Sequence, residues 1–329
     1  MRRERPGISV ILTTDRYETI QTVIDCLRTQ TVVGQIELVL VAKDLTKLDP
    51  ADSRFEAFAG VRIVEVGMIE RFANARATGV RAARAPIVVI GETHSYPHPG
   101  WAEALIEAHR GAWAVVAPGF GNANPGSALS WAIFLLDYGR WLAGLPPAEI
   151  EIAPTHNGAY KREFLLQLGS QLETALAHGD LITEHLQARG HRCYFEPGAK
   201  IDHLNISRPG PWLGERFLFG LLIAGHRAQR WPWPKRLVYF FGSPLIPVVV
   251  LCRLRKALLL ARRQVRLPWG TIPGLCVGAA VAALGEAFGY AFGAVRSAEQ
   301  QMTEYELHKV RYAPRAALLH ESPVSSKSR

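Results

Sequence analysis

A chain of 329 residues, 48% hydrophobic and 20% charged, is long enough for one large or two modest domains with a real core. Its net charge of +9 is confined to one stretch: Arg230 to Gly270 holds nine Lys or Arg and no Asp or Glu, and the remaining 29 basic residues are matched by 29 acidic ones. Because that excess lies inside apolar sequence, it argues against nucleic acid as a partner and for an anionic membrane surface or a lipid phosphate.

Ile8 to Leu12 is a short β-branched run that ends at Thr13, Thr14 and Asp15, which reads as a buried strand followed by a polar turn. The basic N-terminus before it (Arg2, Arg3, Arg5) leads into too short an apolar run for a signal peptide. Ile20, Val23, Ile24 and Leu27 have helical spacing, and Ile36 to Ala42 and Val61 to Val66 read as further strands. A helix over Asn74–Ala85 and a strand over Pro86–Ile90 follow. Strands alternating with helices predict an α/β sheet covered on both faces, with ligands beyond the carboxyl ends of its strands. The polar clusters after Leu12 and after Ile90 are therefore the expected ligand positions.

Beyond "GETHSYPHPGW" the pattern predicts a helix from Trp101 to about Arg110, a strand at Ala114–Ala117, and a Gly/Asn/Pro loop at 119–126. A helix around Trp131–Leu142, the polar loop "PTHNGAYKREF", a helix near Leu181–Ala188 and a strand at Arg192–Phe195 come next. The character changes at "RWPWPKR". Leu237–Cys252 is nearly all apolar but contains Pro244 and Pro247, "RLRKALLLARRQVR" is an amphipathic basic helix, and Ile272–Val295 is long enough to span a bilayer. Glu286 within that last stretch argues against a simple lipid-facing span. Two arrangements stay open: a transmembrane hairpin, or segments lying in the interface with Trp231, Trp233 and Trp269 at headgroup depth. The polar tail, 299–329, is expected to be loosely ordered. Cys26, Cys193, Cys252 and Cys276 have neither metal-ligand nor redox spacing and read as reduced thiols.

Taken in order, "ISVILTTDR", "ANARATGVRAARAPIVVIGETHSYPHPGWAEAL", "HNGAYKREFL" and "ARGHRCYFEPGAKIDHLN" resemble the family 2 glycosyltransferases of the GT-A fold, over roughly residues 7–230. The resemblance implies an α/β fold with a mixed sheet flanked by helices over 1–230, and the basic, apolar composition beyond it reads as a membrane-associated helical module at 231–298. The resemblance also implies inverting transfer of a sugar from a nucleotide-diphospho-sugar, with a divalent cation, to an acceptor hydroxyl. With the basic apolar module, a lipid-linked or membrane-proximal saccharide acceptor and a catalytic domain facing the cytoplasm are expected.

Residue by residue, the resemblance places the donor near Thr13, Thr14, Asp44, Arg76 and Glu92. Asp44 falls late for the family's base-recognising Asp, since Ala42 and Lys43 occupy that place. The family's Asp-x-Asp reads Glu92-Thr93-His94, so Glu92, His94 and the later His203 are the expected metal ligands. An imidazole in that set favours Mn²⁺ over Mg²⁺. His156 and Asn157 match the donor–acceptor loop. Counting back from Gly190 to the family's catalytic base reaches His178 and Gly179; Asp180 is the nearest carboxylate and Glu184 the next. A helix N-cap is the other role open to Asp180. Two altered motifs leave an alternative: a catalytically degenerate nucleotide-sugar-binding protein, or a membrane scaffold.

Overall fold

The computed structural model describes residues 5–44, 46, 48, 52–69, 71–177, 179–294 and 296–313. In chain order the elements begin β1 (Ile8–Thr14), α1 (Tyr17–Arg28), β2 (Ile36–Ala42), β3 (Gly60–Glu65), α2 (Phe72–Ala82), β4 (Ile87–Ile90), β5 (Ser95–Pro97), α3 (Trp101–Ala108) and β6 (Trp113–Asn122). They continue with α4 (Ala128–Tyr138), β7 (Ala148–Ile150), β8 (Ala159–Lys161), α5 (Arg162–Leu166), α6 (Leu172–Ala177), α7 (Gly179–Gln187) and β9 (Arg192–His203). The C-terminal elements are α8 (Pro209–Arg230), α9 (Trp233–Gly242), α10 (Ile246–Gln264), α11 (Thr271–Phe292) and α12 (Arg296–Leu307). Backbone contacts divide the chain into two units, residues 1–121, 140–202 and 294–307, and residues 122–139, 203–293 and 308–329.

The first unit is built on a mixed sheet of strand order β3-β2-β1-β4-β8-β6-β9-β5, with β7 against β9. β1, β2, β3 and β4 run parallel, and β8 is antiparallel to both β4 and β6. Every residue of β1, β2 and β4 is buried, as a parallel sheet covered on both faces requires. On one face, α1 buries Ile20, Val23, Ile24 and Leu27. On another, α2 lies close because its contact residues are small. A Cβ on Gly79 would sit 2.4 Å from Ile11 Cγ2 and 3.1 Å from Val41 Cγ2. The expected mixed α/β sheet flanked by helices is what the chain forms.

The second unit is helical, and α8 and α11 pack backbone to backbone. A Cβ on Gly285 would come within 2.1 Å of the Phe217 carbonyl oxygen, and one on Gly289 within 2.5 Å of that of Leu221. α11 also meets α4, where Gly274 leaves room for Ala132. Inside this unit the buried Arg216 holds Asp137 with two hydrogen bonds, of 2.7 and 3.0 Å, and Glu215 with two more. Trp233, Phe241, Leu245 and Val248 on and between α9 and α10 are exposed. Trp233–Gln264 and Thr271–Phe292 are long and apolar enough to cross a membrane by length and composition. Pro247 stands in the first turn of α10, where its missing N–H costs nothing. The expected basic helix is continuous with the apolar run that precedes it.

Several segments differ from expectation. β6 runs on to Asn122 and β9 to His203, through Gly and Pro positions that read as loop. The cause is pairing: β9 lies between β6 and β5, with β7 on its Cys193–Phe195 stretch, so ladder hydrogen bonds override local propensity. The "PTHNGAYKREF" loop contains β8 and α5. The tail expected to be loose begins as the helix α12, which buries Ala298, Thr303 and Leu307; residues 314–329 of that tail lie outside the described residues.

Candidate active site

The register of the parallel strands aligns Thr14 of β1 with Ala42 of β2, and Ile11 of β1 with Ile90 of β4. Thr13, Thr14, Asp44 and Glu92 therefore share the carboxyl edge of one sheet. Leaving β4, the chain stays against β1. Gly91 N–H donates to the Ile11 carbonyl at 2.9 Å, and a Cβ on Gly91 would sit 2.8 Å from Leu12 Cδ2. This close approach buries the next residues, Glu92, Thr93, His94 and Ser95.

Glu92 is the hub. Its Oε2 accepts from Ser95 Oγ at 2.8 Å and from Asn157 Nδ2 at 2.7 Å, while its Oε1 lies 2.7 Å from His156 Nδ1. Asn157 is the one described non-glycine residue with positive φ, at 58°, and its N–H donates to the Ile90 carbonyl at 2.7 Å. Asn tolerates that left-handed conformation better than other residues. The turn is tight: a Cβ on Gly158 would meet the Pro154 carbonyl oxygen at 2.3 Å. The loop that reads as a polar connection is thus folded back on the end of β4, carrying His156 and Asn157 to Glu92.

Arg76, buried on α2, reaches His156 Nδ1 at 3.1 Å and stacks its guanidinium over Phe72 at 4.8 Å. His94 Nε2 lies 3.8 Å from Glu92 Oε1 and 3.8 Å from Glu306 Oε2. Glu306 comes from α12, whose end is met by the Thr93 hydroxyl at 3.4 Å from the carbonyl oxygens of both Glu306 and Leu307. Ligand atoms of Glu92, His156 and Glu306 all lie within 4.8 Å of one another. Two carboxylates and an imidazole are donors that a divalent cation could use.

Of the residues expected from sequence, the fold gathers Arg76, Glu92, His94, His156 and Asn157. Ser95 and Glu306 join them unforeseen. Ser95 sat within the quoted motif, whereas Glu306 lies 213 residues from Thr93 and carried no sequence signal. Thr14 turns its hydroxyl to the Arg16 carbonyl at 2.7 Å. Asp44 accepts from the Thr46 N–H at 2.9 Å, as a turn-forming Asp does. Glu184 is exposed on α7. Asp180 lies in the first turn of the same helix, one residue past its start at Gly179, and its side chain is outside the described residues. His203 ends β9, buried, with Nδ1 2.9 Å from Asn205 Oδ1 and its ring 4.4 Å from that of Tyr138.

No protein family and no curated protein matches the chain. Among solved structures, the chain is similar to residues 1–349 of S. aureus TarS in complex with UDP-GlcNAc. Identity is 16% and the TM-score 0.43, over 60% of this chain and 58% of that one. It is also similar to a second S. aureus TarS structure, at 13% identity and TM-score 0.43, over 68% of this chain and 42% of that one. The chain thus spans less than two thirds of either, and likeness at this level says nothing of activity.

Proposed function

We propose that this protein is a membrane-associated, inverting glycosyltransferase of the family 2, GT-A kind, using a nucleotide-diphospho-sugar donor. The observation that carries the reading is the convergence of Glu92, His94, His156, Asn157 and Arg76 at the carboxyl edge of parallel strands. That edge is where open α/β sheets bind ligands.

In such a transfer the acceptor oxygen bonds to the anomeric carbon, the bond to the diphosphate breaks, and the acceptor's proton passes to a base. The leaving diphosphate gains charge, and stabilising that charge is the main electrostatic task. Arg76 supplies a fixed, buried positive charge beside the cluster. A divalent cation bound there would neutralise the rest, and Glu92 with its neighbouring imidazoles has the right donors for one. Ser95 and Asn157 hold Glu92 Oε2, which fixes the carboxylate with its Oε1 against His156. Asp180 and then Glu184 remain the candidates for the base, and Thr13, Thr14 and Asp44 for donor contacts.

The exposed apolar surface of α9 and α10, beside the basic run, supports binding at an anionic membrane surface. The acceptor is accordingly a lipid-linked or membrane-proximal saccharide, and the catalytic unit faces the cytoplasm, where nucleotide sugars are found. The replacement of the second motif carboxylate by His94 favours a second reading, donor binding without turnover.

Calorimetry with UDP and GDP, with and without Mn²⁺, tests the proposal on detergent-purified wild type and on Glu92→Ala/His94→Ala. Micromolar binding that needs Mn²⁺ and vanishes in the double variant is expected. Binding without transfer or donor hydrolysis would select the second reading. Absence of binding for UDP, GDP, dTDP and ADP alike would defeat both and leave a scaffold.

A further inference from the structure

α12 returns to the sheet after the basic and apolar helices, and two contacts fix where it ends. Arg71 Nε meets Glu299 Oε2 at 2.7 Å near its start, and the Thr93 hydroxyl meets the carbonyls of Glu306 and Leu307 at its end. Those contacts bring the Glu306 carboxylate to the cluster around Glu92.

A helix C-terminus carries partial negative charge and favours cations in its last turn, yet the last turn of α12 holds no basic residue and ends on Glu306-Leu307. Glu306 therefore adds a second carboxylate beside the buried Glu92 and the His156 imidazole. A divalent cation bound between close carboxylates relieves their mutual repulsion. Metal–oxygen and metal–nitrogen bonds of about 2.0–2.2 Å put two ligands of one ion at most roughly 4.4 Å apart. The ligand atoms of Glu92, His156 and Glu306, all within 4.8 Å, need to move only slightly to share one ion.

We propose that Glu306 is a ligand of a divalent cation held with Glu92 and His156, so that metal binding ties α12 to the carboxyl edge of the sheet. The consequence reaches beyond the ligand count: the helix that follows the membrane-candidate segments becomes part of the donor site, and its order depends on the metal. The proposal deepens the glycosyltransferase reading and rests on it for the purpose of the cation, but its test uses the metal alone.

The full chain in detergent is titrated with Mn²⁺, followed by loss of the free-ion paramagnetic resonance signal. Backbone hydrogen exchange over residues 296–307 is measured with and without the metal. The expected result is Mn²⁺ binding by the wild type, with exchange in α12 slowed when the metal is present. Glu306→Gln weakens binding at least tenfold and loses the metal-dependent slowing, whereas Glu304→Gln, two residues away on the same helix, keeps both. Wild-type affinity in Glu306→Gln, exchange in wild-type α12 indifferent to Mn²⁺, or no binding by the wild type would each overturn the proposal. Mn²⁺ binding of the expected kind without nucleotide binding would defeat the donor reading and leave this site standing. Nucleotide binding with Mn²⁺ unchanged in Glu306→Gln would do the reverse.

Discussion

Asn157 donates from Nδ2 to Oε2 of Glu92 at 2.7 Å, joining residues 65 positions apart in the chain. The bond locks the loop before β8 onto the end of β4, and both partners are buried. A hydrogen bond to a charged group is worth about 1.5–3 kcal/mol, and the left-handed backbone costs a side chain other than Gly or Asn roughly 1–2 kcal/mol. Asn157→Ala should lose both terms and Asn157→Gly only the first. Chemical denaturation of the two variants should therefore rank them wild type, Gly, Ala, and an Ala variant as stable as the Gly variant would contradict this account of φ.

His109, at the end of α3, is buried with Nε2 3.1 Å from the Ala159 carbonyl. Burial pushes its pKa down to about 4, only partly offset by backbone hydrogen bonds. The folded state therefore favours the neutral ring, and its contribution is fully present above the unfolded pKa of about 6.5 and is lost as pH falls toward 4. The loss amounts to about 3 kcal/mol across that window. His109→Gln keeps an N–H donor but does not titrate. Its stability, measured from pH 7 to 4, should fall less than that of the wild type.

α8 and α11 approach so closely that even a methyl group on Gly285 meets the Phe217 carbonyl. Overpacking of this kind costs typically about 1–3 kcal/mol. Gly285→Ala should lower the unfolding temperature of the detergent-purified protein, while Val277→Ala, on the exposed side of α11, should stay close to wild type. Equal behaviour of the two would mean that the helices do not pack as described.

Arg253, Arg255, Lys256, Arg262 and Arg263 are all exposed on α10. Changing the five to Gln should reduce flotation with vesicles rich in anionic phosphatidylglycerol by roughly an order of magnitude or more, with little change on neutral phosphatidylcholine. An equal loss on both vesicle types would point to disrupted folding rather than lost charge attraction.

The α/β class was legible because buried parallel strands are continuous apolar runs, so Ile8–Leu12, Ile36–Ala42 and Pro86–Ile90 stand out one by one. The edge that carries Thr14 and Glu92 was legible for the same reason, since ligands gather where such strands end. The apolar and basic C-terminal segments followed from composition, and α11 falls where expected, whereas α10 joins the end of the apolar run to the basic helix. What the one-dimensional chain could not reveal is that Ser95 and Glu306 join that edge, or how its members bond to one another. β9 becomes a long strand through Pro197 and Gly198 only because β6, β5 and β7 supply its partners. Asn157 matches the donor–acceptor loop in sequence, but its bond to Glu92 arises only because the Ile90 carbonyl holds its N–H. Glu306 reads as one more acid in a polar tail. Local pattern records which face of an element avoids water, but the placing of Glu306 beside Glu92 depends on where α12 ends, and that is set by Arg71 and Thr93, contacts that exist only once the chain has folded.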